Sequence, residues 1–368
     1  MKILHISGAK GWGGNEQQII SLLPQLKLLS VENLVLGFSN SVLEKECSVF
    51  DIDFSIFKTK KLNSFKNYKA LSIVIKSYKP DIVQLHTSDS LMFYLIANAI
   101  YKFNTKLIFS KKGIGGSSSR LSKIKYNSKA ISSIFCVSKS VETSFSQILN
   151  KENKEKTCVI NDCVSKSIVN DKSNLSLKKL YAIPNHTKLV GNIANHTTAK
   201  DLFTLVDVLD QIVNVYKRTD IYFIQIGEFS KRTDKIKNYA TKKGVLQYLV
   251  FLDKYANAAL LNPQFDCFLL TSEREGGPTS VLEAMMFETP VVSTQVGFVN
   301  EVVVNGENGF TAKPKDYKTL ANGVIEIVDN TELQNSFTTL NKKIVEEQFT
   351  AHYIAEQTQK KYTKVLNS

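Results

Sequence analysis

Short apolar runs alternate along the chain with longer stretches in which apolar residues recur at helical spacing. Residues 2–6 form an apolar run, residues 8–14 are rich in glycine, and residues 16–29 carry apolar side chains every three or four positions. The short run predicts a strand, and the spaced stretch predicts an amphipathic helix. The chain therefore opens with a strand, a glycine loop and a helix.

The same alternation recurs in both halves of the chain. Further strands are predicted at residues 81–85, 107–110, 134–138, 189–193, 221–226, 249–252, 267–271 and 291–294. Further helices are predicted at residues 91–101, 201–216, 281–287 and 345–366. Strands that alternate with helices are typical of a parallel sheet covered by helices on both faces. The pattern therefore predicts the α/β class.

The length of 368 residues agrees with two domains, each large enough to bury its own core. We expect two doubly wound, Rossmann-like domains at residues 1–180 and 181–344. Residues 345–368 are expected to form a helix that packs back across both. A hydrophobic content of 43% excludes a disordered polymer.

Cysteine usage and apolar tract length indicate a cytoplasmic protein. The five cysteines are scattered and form no C-x-x-C pair, which favours reduced thiols over a disulfide framework or a zinc site. The longest apolar tract, residues 91–103, is shorter than the roughly 20 residues needed to cross a bilayer. The first residues are too short an apolar run for a signal peptide, so neither export nor membrane insertion is expected.

Positive charge is concentrated in the first half of the chain. Residues 1–180 hold 27 Lys and Arg against 13 Asp and Glu, whereas residues 181–368 hold 20 against 21. Residues 58–79 are predicted to form a basic amphipathic helix, and residues 120–129 form a second basic segment. Both can be ordinary solvated surfaces, or they can dock on the inner face of an anionic membrane, where each lysine contributes about 1 kcal/mol. Both interpretations remain open.

The loop after the predicted strand at residues 267–271 carries the clearest candidate chemistry. A helix opens near Ser280, and the backbone amides of Thr279, Ser280 and Val281 suit a diphosphate. Glu275 and Glu283 are eight residues apart, so both can border one crevice and face sugar hydroxyls. Alternatively, Ser280 and Glu283 form a capping box, in which case Glu283 only stabilises the helix.

The run from Glu275 to Glu283 resembles the E-x7-E signature of the retaining glycosyltransferases of family four, the glycosyl transferases group 1. Residues 289–292 and 305–310 also fit the family, and Gly13-Gly14-Asn15-Glu16 resembles its N-terminal glycine loop. Residues 81–86 resemble its strand that ends in a histidine, here His86. The resemblance implies the GT-B fold, in which two Rossmann-like domains face each other across a cleft.

The resemblance also implies roles for individual residues. Glu275 would hold hydroxyls of the donor sugar, Glu283 the ribose, and Lys200 the phosphate charge that grows as the glycosidic bond breaks. His86 would touch the donor sugar or the acceptor. The catalytic candidates are therefore Glu275, Lys200 and His86. The donor-binding candidates are Gly13, Gly14, Asn195, Gly276, Gly277, Thr279, Ser280, Val281 and Glu283. Asn195 stands where the family commonly has an arginine.

A basic, glycine-rich loop at residues 110–116 follows a strand of the first domain. Its position predicts that Lys111 or Lys112 contacts the acceptor or a phosphate, although a flexible surface loop has the same composition. No metal ligand set is predicted. Asp51 and Asp53 supply a D-x-D motif, but residues 49–54 alternate like a half-exposed strand, which disfavours a metal site.

The function predicted from this resemblance is transfer of a sugar, with retention of anomeric configuration, from a nucleoside-diphosphate sugar to a glycan or lipid-linked acceptor. UDP is favoured over GDP, and the expected setting is bacterial surface polysaccharide synthesis, for example of lipopolysaccharide. The enzyme would be of the hexosyltransferase type and would need no metal or other cofactor. One rival is a sugar-nucleotide epimerase. The other is a nonenzymatic polyanion-binding protein, although no groove-reading motif or aromatic platform supports binding of nucleic acid.

Overall fold

The computed structural model describes residues 1–114 and 119–368. Within them the chain divides into two compact units. The first consists of Met1–Ser165 together with Thr350–Ser368, and the second of Lys166–Phe349.

The first unit is built on a seven-stranded sheet in which every neighbouring pair of strands is parallel. Its strands are β1 (Lys2–Ile6), β2 (Glu32–Gly37), β3 (Asp53–Ile56), β4 (Ile82–Leu85), β5 (Lys106–Lys111), β6 (Ser133–Cys136) and β7 (Thr157–Val159). Its helices are α1 (Gly14–Leu28), α2 (Val42–Val49), α3 (Phe65–Tyr78), α4 (Ser88–Tyr101), α5 (Arg120–Tyr126), α6 (Lys139–Ser146), α7 (Lys151–Glu155) and the last helix of the chain, α15 (Ala351–Leu366). The strand order is β3-β2-β1-β4-β5-β6-β7.

The second unit has a six-stranded, fully parallel sheet with the order β10-β9-β8-β11-β12-β13. Its strands are β8 (Lys188–Ile193), β9 (Ile221–Ile226), β10 (Leu249–Leu252), β11 (Cys267–Leu270), β12 (Val291–Thr294) and β13 (Phe310–Ala312). Its helices are α8 (Leu177–Leu180), α9 (Leu202–Asp210), α10 (Thr233–Lys242), α11 (Thr279–Met286), α12 (Val299–Val302), α13 (Tyr317–Asp329) and α14 (Thr331–Gln348). Short 3-10 turns lie at Lys166–Asn170, Thr198–Lys200, Leu246–Tyr248 and Ala258–Gln264, and a π-helical turn lies at Gln211–Val215.

Each sheet has one point at which the strand order reverses direction. In the first unit this point lies between β1 and β4, and in the second between β8 and β11. Ligands of open parallel sheets bind outside the carboxyl ends of the strands at such a point, because the loops there diverge to opposite faces. The loops after these four strands are therefore the places in which to look for a site.

The last helix completes the core of the first unit. Ala355 and Tyr362 on α15 are fully buried in a cluster that also contains Ile19 and Leu23 of α1. The helix predicted from residue 345 is interrupted: α14 ends at Gln348, and Thr350 caps a new helix by accepting the N–H of Tyr353.

The division between the units falls at Ser165–Lys166, whereas the sequence placed it after residue 180. Leu177 explains the difference, because it packs with Ile183 and Leu189 in a core cluster of the second unit. The polar, lysine-rich stretch at the end of the predicted first domain therefore contains a buried anchor of the second unit.

Three further local predictions differ from the structure. Residues 49–54 do not form one strand: α2 ends at Val49, Asp51 is left-handed at φ 52°, and β3 begins at Asp53. The helix predicted at 58–79 begins only at Phe65, after Ser64 as its cap. The helix predicted at 201–216 changes to a π-helical turn after Asp210.

Candidate functional site

The loops after β8 and β11 are tied together by hydrogen bonds. The N–H of Glu273 donates to the carbonyl of Ala199 over 2.8 Å, and the hydroxyl of Thr271 donates to the carbonyl of Asp201 over 3.2 Å. The turn that carries Lys200 and the loop that carries Glu275 therefore form one rigid surface at the end of the second sheet.

Lys200 and Glu275 form an ion pair on this surface. Lys200 Nζ lies 2.6 Å from Glu275 Oε1, and Ser272 Oγ donates to the same oxygen over 2.6 Å. The Lys200 side chain is 25% exposed and that of Glu275 only 10%. The structure thus brings two predicted catalytic residues into contact, and it adds Ser272, which the sequence analysis did not single out. The carboxylate holds the ammonium that was predicted to meet phosphate.

Close packing behind Glu275 leaves no room for its backbone to shift. Gly297 has φ 52°, and a Cβ there would stand 2.3 Å from the carbonyl oxygen of Glu275. The N–H of Phe298 donates to the carbonyl of Gly276 over 3.2 Å. The segment 275–277 is therefore held from behind by residues 297 and 298, which requires glycine at 297.

The helix α11 begins at Thr279 beside this loop, close to where the sequence predicted it. The N–H groups of Thr279 and Ser280 have no hydrogen-bond acceptor in the described ranges 1–114 and 119–368. The N–H of Val281, which was predicted to be free, donates to the carbonyl of Pro278 over 3.0 Å. Two of the three predicted amides are therefore available to an anion.

Glu283 does not take part in a capping box. The cap residue of α11 is Pro278, and Ser280 lies inside the helix, so the geometry that would make Glu283 a cap partner is absent from this described helix. The side chain keeps some solvent exposure, yet it is enclosed enough that burial raises the pKa of Glu283 to about 7. No protein donor to its carboxylate is found among the described residues, so hydroxyl groups of a ligand are suitable partners.

Asn195 connects the loops after β8 and β9. Its Oδ1 accepts the N–H of Glu228 over 2.9 Å, and the residue is exposed. The buried neighbour His196 bonds through Nε2 to Gln225 Oε1 over 2.6 Å and through Nδ1 to Thr233 Oγ1 over 2.8 Å. Both ring nitrogens of His196 are used, so it is a fixed structural element of the loop.

In the first unit, His86 follows β4 directly and is buried. Its Nε2 lies 3.0 Å from Nδ1 of His5, and Nε2 of His5 lies 3.0 Å from Oδ1 of Asn33. Burial lowers the pKa of His5 to about 4, and burial together with the nearby His5 and Lys112 lowers the pKa of His86 well below its ordinary value. His5 and Asn33 were missed, although a histidine inside the apolar run of β1 was visible in the sequence.

The two candidate lysines at the end of β5 are not equivalent. Lys112 Nζ lies 2.5 Å from Asp162 Oδ1, and the pair is largely buried. Burial raises the pKa of Asp162 in spite of the lysine. Lys111 is partly buried, its Nζ lies 5.3 Å from the centroid of the Phe145 ring, and burial lowers its pKa. Of the predicted glycine-rich loop, residues 115 and 116 lie outside the described residues.

Gly13 and Gly14 lie at the start of α1. A Cβ at Gly13 would come no closer than 3.6 Å to a neighbouring atom, and one at Gly14 would meet nothing within 4 Å. The packing of the protein therefore does not require glycine at either position. Close approach of a ligand to the backbone is a reason for glycine that this geometry allows.

Two kinds of feature are absent from the described ranges, 1–114 and 119–368. No helix there is long and apolar enough to cross a membrane. No group of three or more His, Cys, Asp or Glu residues there is arranged to hold a metal ion.

Comparison with solved structures defines the class of protein: the chain has the fold of the GT-B glycosyltransferases. The crystal structure of Anabaena Alr3699/HepE in complex with UDP-glucose matches with a TM-score of 0.86 and 22% identity, over 99% of this chain and 100% of that one. The structure of a glycosyltransferase from Rickettsia africae matches with a TM-score of 0.84 and 22% identity, over 100% of this chain and 99% of that one. At these identities the likeness shows the fold alone.

Sequence comparison supports the same class. Residues 175–344, which lie in the second unit, match the model described as Glycosyl transferases group 1. N-acetyl-alpha-D-glucosaminyl L-malate synthase of Bacillus anthracis is 25% identical over 316 residues, 81% of each chain. Poly(ribitol-phosphate) alpha-N-acetylglucosaminyltransferase of Staphylococcus aureus is 26% identical over 199 residues, 52% of this chain and 38% of that protein. The resemblance stated from residues 275–283 is confirmed, and a transferase is favoured over both rivals.

Proposed function

We propose that the protein transfers a sugar from a UDP-sugar, bound mainly by the second unit, to a glycan or lipid-linked acceptor bound by the first. The observation that carries this proposal is the Lys200–Glu275 pair beside the two unbonded amides of α11. A cation and two N–H donors suit a diphosphate, and a carboxylate within hydrogen-bond distance of that cation suits the hydroxyls of the attached sugar. No metal ion is assigned to the reaction.

In the proposed step, the bond between the anomeric carbon and the phosphate oxygen breaks, and its electron pair stays on the phosphate. An acceptor hydroxyl bonds to the same face of the anomeric carbon, which retains the configuration, and its proton passes to the leaving phosphate. Lys200 and the amides of Thr279 and Ser280 compensate the negative charge that develops there. Fixed charges that act more strongly in the transition state than in the ground state increase the rate.

The relatives support the choice of donor and the cellular setting. Alr3699/HepE binds UDP-glucose in its crystal structure, and one of the relatives is a capsular polysaccharide biosynthesis glycosyltransferase of S. aureus, 30% identical over 99 residues. A UDP-sugar donor and synthesis of a bacterial surface polysaccharide at the cytoplasmic side of the membrane agree with both.

A thermal-shift screen of UDP-, GDP- and ADP-sugars tests the donor. A ligand at a hundred times its dissociation constant stabilises the folded state by about 2.7 kcal/mol. We expect this shift for a UDP-sugar alone. Glu275→Ala and Lys200→Ala are expected to abolish turnover in folded protein, whereas the loop variant Glu273→Ala keeps it. Near-normal rates in either of the first two would contradict the site assignment.

We also propose that the first unit contacts anionic lipid through α5. Leu121 and Ile124 lie three positions apart on this helix and are 70% and 71% exposed, next to exposed Arg120 and Lys123. Apolar side chains among cations are typical of a helix that lies in a bilayer surface. Flotation with vesicles that contain anionic lipid is expected to be lost in the double variant Leu121→Ser/Ile124→Ser but kept in Leu28→Ser. Equal flotation with neutral vesicles would contradict the proposal.

A further inference from the structure

A pair of histidines lies inside the sheet of the first unit. His5 is fully buried near the carboxyl end of β1, and its neighbours Leu4 and Ile6 are apolar and also fully buried. A polar ring in such a place destabilises the fold unless its nitrogens are hydrogen-bonded. Nδ1 of His5 lies 3.0 Å from Nε2 of His86, and Nε2 of His5 lies 3.0 Å from Oδ1 of Asn33. Each nitrogen of His5 therefore has a partner.

The amide of Asn33 fixes the direction of the first hydrogen bond. Its Nδ2 donates to the carbonyl of Val31 over 2.9 Å, and a carbonyl oxygen can only accept. The amide oxygen of Asn33 must therefore be the atom that faces His5. An amide oxygen accepts as well, so the proton of His5 has to be on Nε2.

The direction of the hydrogen bond between the two histidine rings follows from the position of the His5 proton. A neutral imidazole carries one proton, so Nδ1 of His5 is left with a lone pair and accepts. Nε2 of His86 must carry the proton that His5 accepts. Nδ1 of His86 consequently carries a lone pair and no proton, so it can accept a hydrogen bond but cannot donate one.

Both rings are neutral because charge is disfavoured on each. Both are buried, and the charged neighbour of His86 is the ammonium of Lys112, which opposes a second positive charge. Asp162 is the carboxylate nearest to this cation, and the 2.5 Å contact with Lys112 already engages it. The neutral pair, with one proton on each ring, is therefore the state that the surroundings favour.

We propose that Asn33 and His5 are positioning residues that hold His86 in the tautomer with its proton on Nε2, so that Nδ1 accepts a hydrogen bond from a substrate hydroxyl. This use of His86 rests on the proposed sugar transfer, whereas the tautomer does not. The other tautomer would place a donor at Nδ1. It would leave Nε2 of His86 and Nδ1 of His5 facing each other as two acceptors.

Nitrogen NMR of the full chain, labelled in its histidines, measures the tautomer directly. In the wild type we expect each of the two rings, His5 and His86, to carry its proton on Nε2. Asn33→Leu removes the acceptor that orients His5, so both rings should become mixtures of tautomers. A proton on Nδ1 of His86 in the wild type, or an unchanged spectrum in Asn33→Leu, would overturn the proposal.

Asn33→Asp is the sharper variant, because it places an anion beside His5 and raises the pKa of that ring. Once His5 is doubly protonated it donates from Nδ1, so Nε2 of His86 must accept and its proton must move to Nδ1. We expect kcat/KM of Asn33→Asp to fall about tenfold as the pH decreases through the raised pKa of His5. A tenfold decrease corresponds to the loss of about one hydrogen bond. Asn63→Asp, an exposed change of the same charge in the same unit, should keep the wild-type pH profile.

The source of the hydroxyl is tested by adding UDP, UDP-glucose or free glucose to the labelled protein. A response of His86 Nδ1 to UDP-glucose but not to UDP assigns the hydroxyl to the donor sugar. A response to free glucose alone assigns it to the acceptor side. The role of His86 in sugar transfer would be overturned by two results together. His86 Nδ1 would respond to none of the three ligands, although the tautomer is the expected one, and all variants would transfer sugar at equal rates. A wild type that transfers no sugar would count against the proposed function and leave the tautomer measurable.

Discussion

Glu275→Gln separates the two tasks that the structure gives to this carboxylate. In the protein without ligand, Glu275 binds the ammonium of Lys200 over 2.6 Å. In the proposed complex, Lys200 binds phosphate and Glu275 binds sugar hydroxyls, so donor binding has to exchange one set of partners for the other. Glutamine keeps the shape and the hydrogen-bonding capacity but removes the charge that holds the lysine.

The size of the effect follows from the burial of the pair. Both side chains are less than one third exposed, at 25% and 10%, so solvent screens the contact only in part. A hydrogen bond to a charged group contributes about 1.5–3 kcal/mol net. Since about 1.4 kcal/mol corresponds to tenfold in affinity, the lower end predicts that UDP binds Glu275→Gln about tenfold more tightly than wild type. In Glu275→Gln, the affinity that UDP-glucose gains over UDP through its sugar should fall by a similar factor.

Isothermal titration of UDP and of UDP-glucose into wild type, Glu275→Gln and Glu273→Gln measures both effects. Glu273 lies in the same loop and pairs with Lys315 over 2.9 Å, so its glutamine variant changes the same charge without releasing Lys200. We expect Glu273→Gln to match the wild type within about twofold, well below the tenfold shift at Glu275. UDP that binds Glu275→Gln no more tightly than wild type would refute the exchange of partners.

Single buried contacts elsewhere give three more expected outcomes. Tyr362→Phe removes the hydroxyl that donates to Oε1 of Gln84, so urea denaturation should show a free energy of unfolding lower by about 1–3 kcal/mol, and an unchanged value would contradict the contact. Burial raises the pKa of Glu283 from 4.5 to about 7, so the native state retains a proton that the unfolded chain releases, and stability should decrease as pH rises from 4.5 to 7. Glu283→Gln should therefore be more stable than wild type at pH 8 by on the order of 3 kcal/mol, with no difference near pH 4. Gly297→Ala would place a methyl carbon 2.3 Å from the carbonyl of Glu275, so turnover should fall about a hundredfold in folded protein, and a normal rate would show that the loop can move.

Much of the fold could be predicted because its strands are buried on both faces and appear as short apolar runs. The predicted strands at 221–226, 249–252 and 291–294 agree with β9, β10 and β12 residue for residue. The errors fall where a local pattern was misleading. Residues 49–54 alternate like a strand, yet Asp51 turns the chain with a left-handed backbone and its carboxylate lies 2.7 Å from Lys27.

The candidate site was predictable as single residues but not as contacts. The strand, loop and helix around Glu275 have a local pattern, and so does the turn that carries Lys200. Their pairing joins residues 75 positions apart and depends on β8 and β11 being neighbours in the sheet. The predicted capping box shows the opposite error. Ser280 and Glu283 have the residue types and the spacing of a capping box, but α11 begins one residue before Ser280, so Ser280 is not the cap residue.

Buried polar contacts were the hardest to predict, because composition treats every charged residue as part of the surface. Lys112 was one of 27 basic residues that gave the first half its positive charge, yet it is buried against Asp162, 50 positions away. His5 looked like one residue of an apolar strand, and its partner His86 is 81 positions away. A parallel sheet places the ends of distant strands side by side, so polar residues at those ends acquire partners that no local pattern reveals. The switch point between β1 and β4 therefore holds a histidine pair whose hydrogen-bond directions only the folded chain defines.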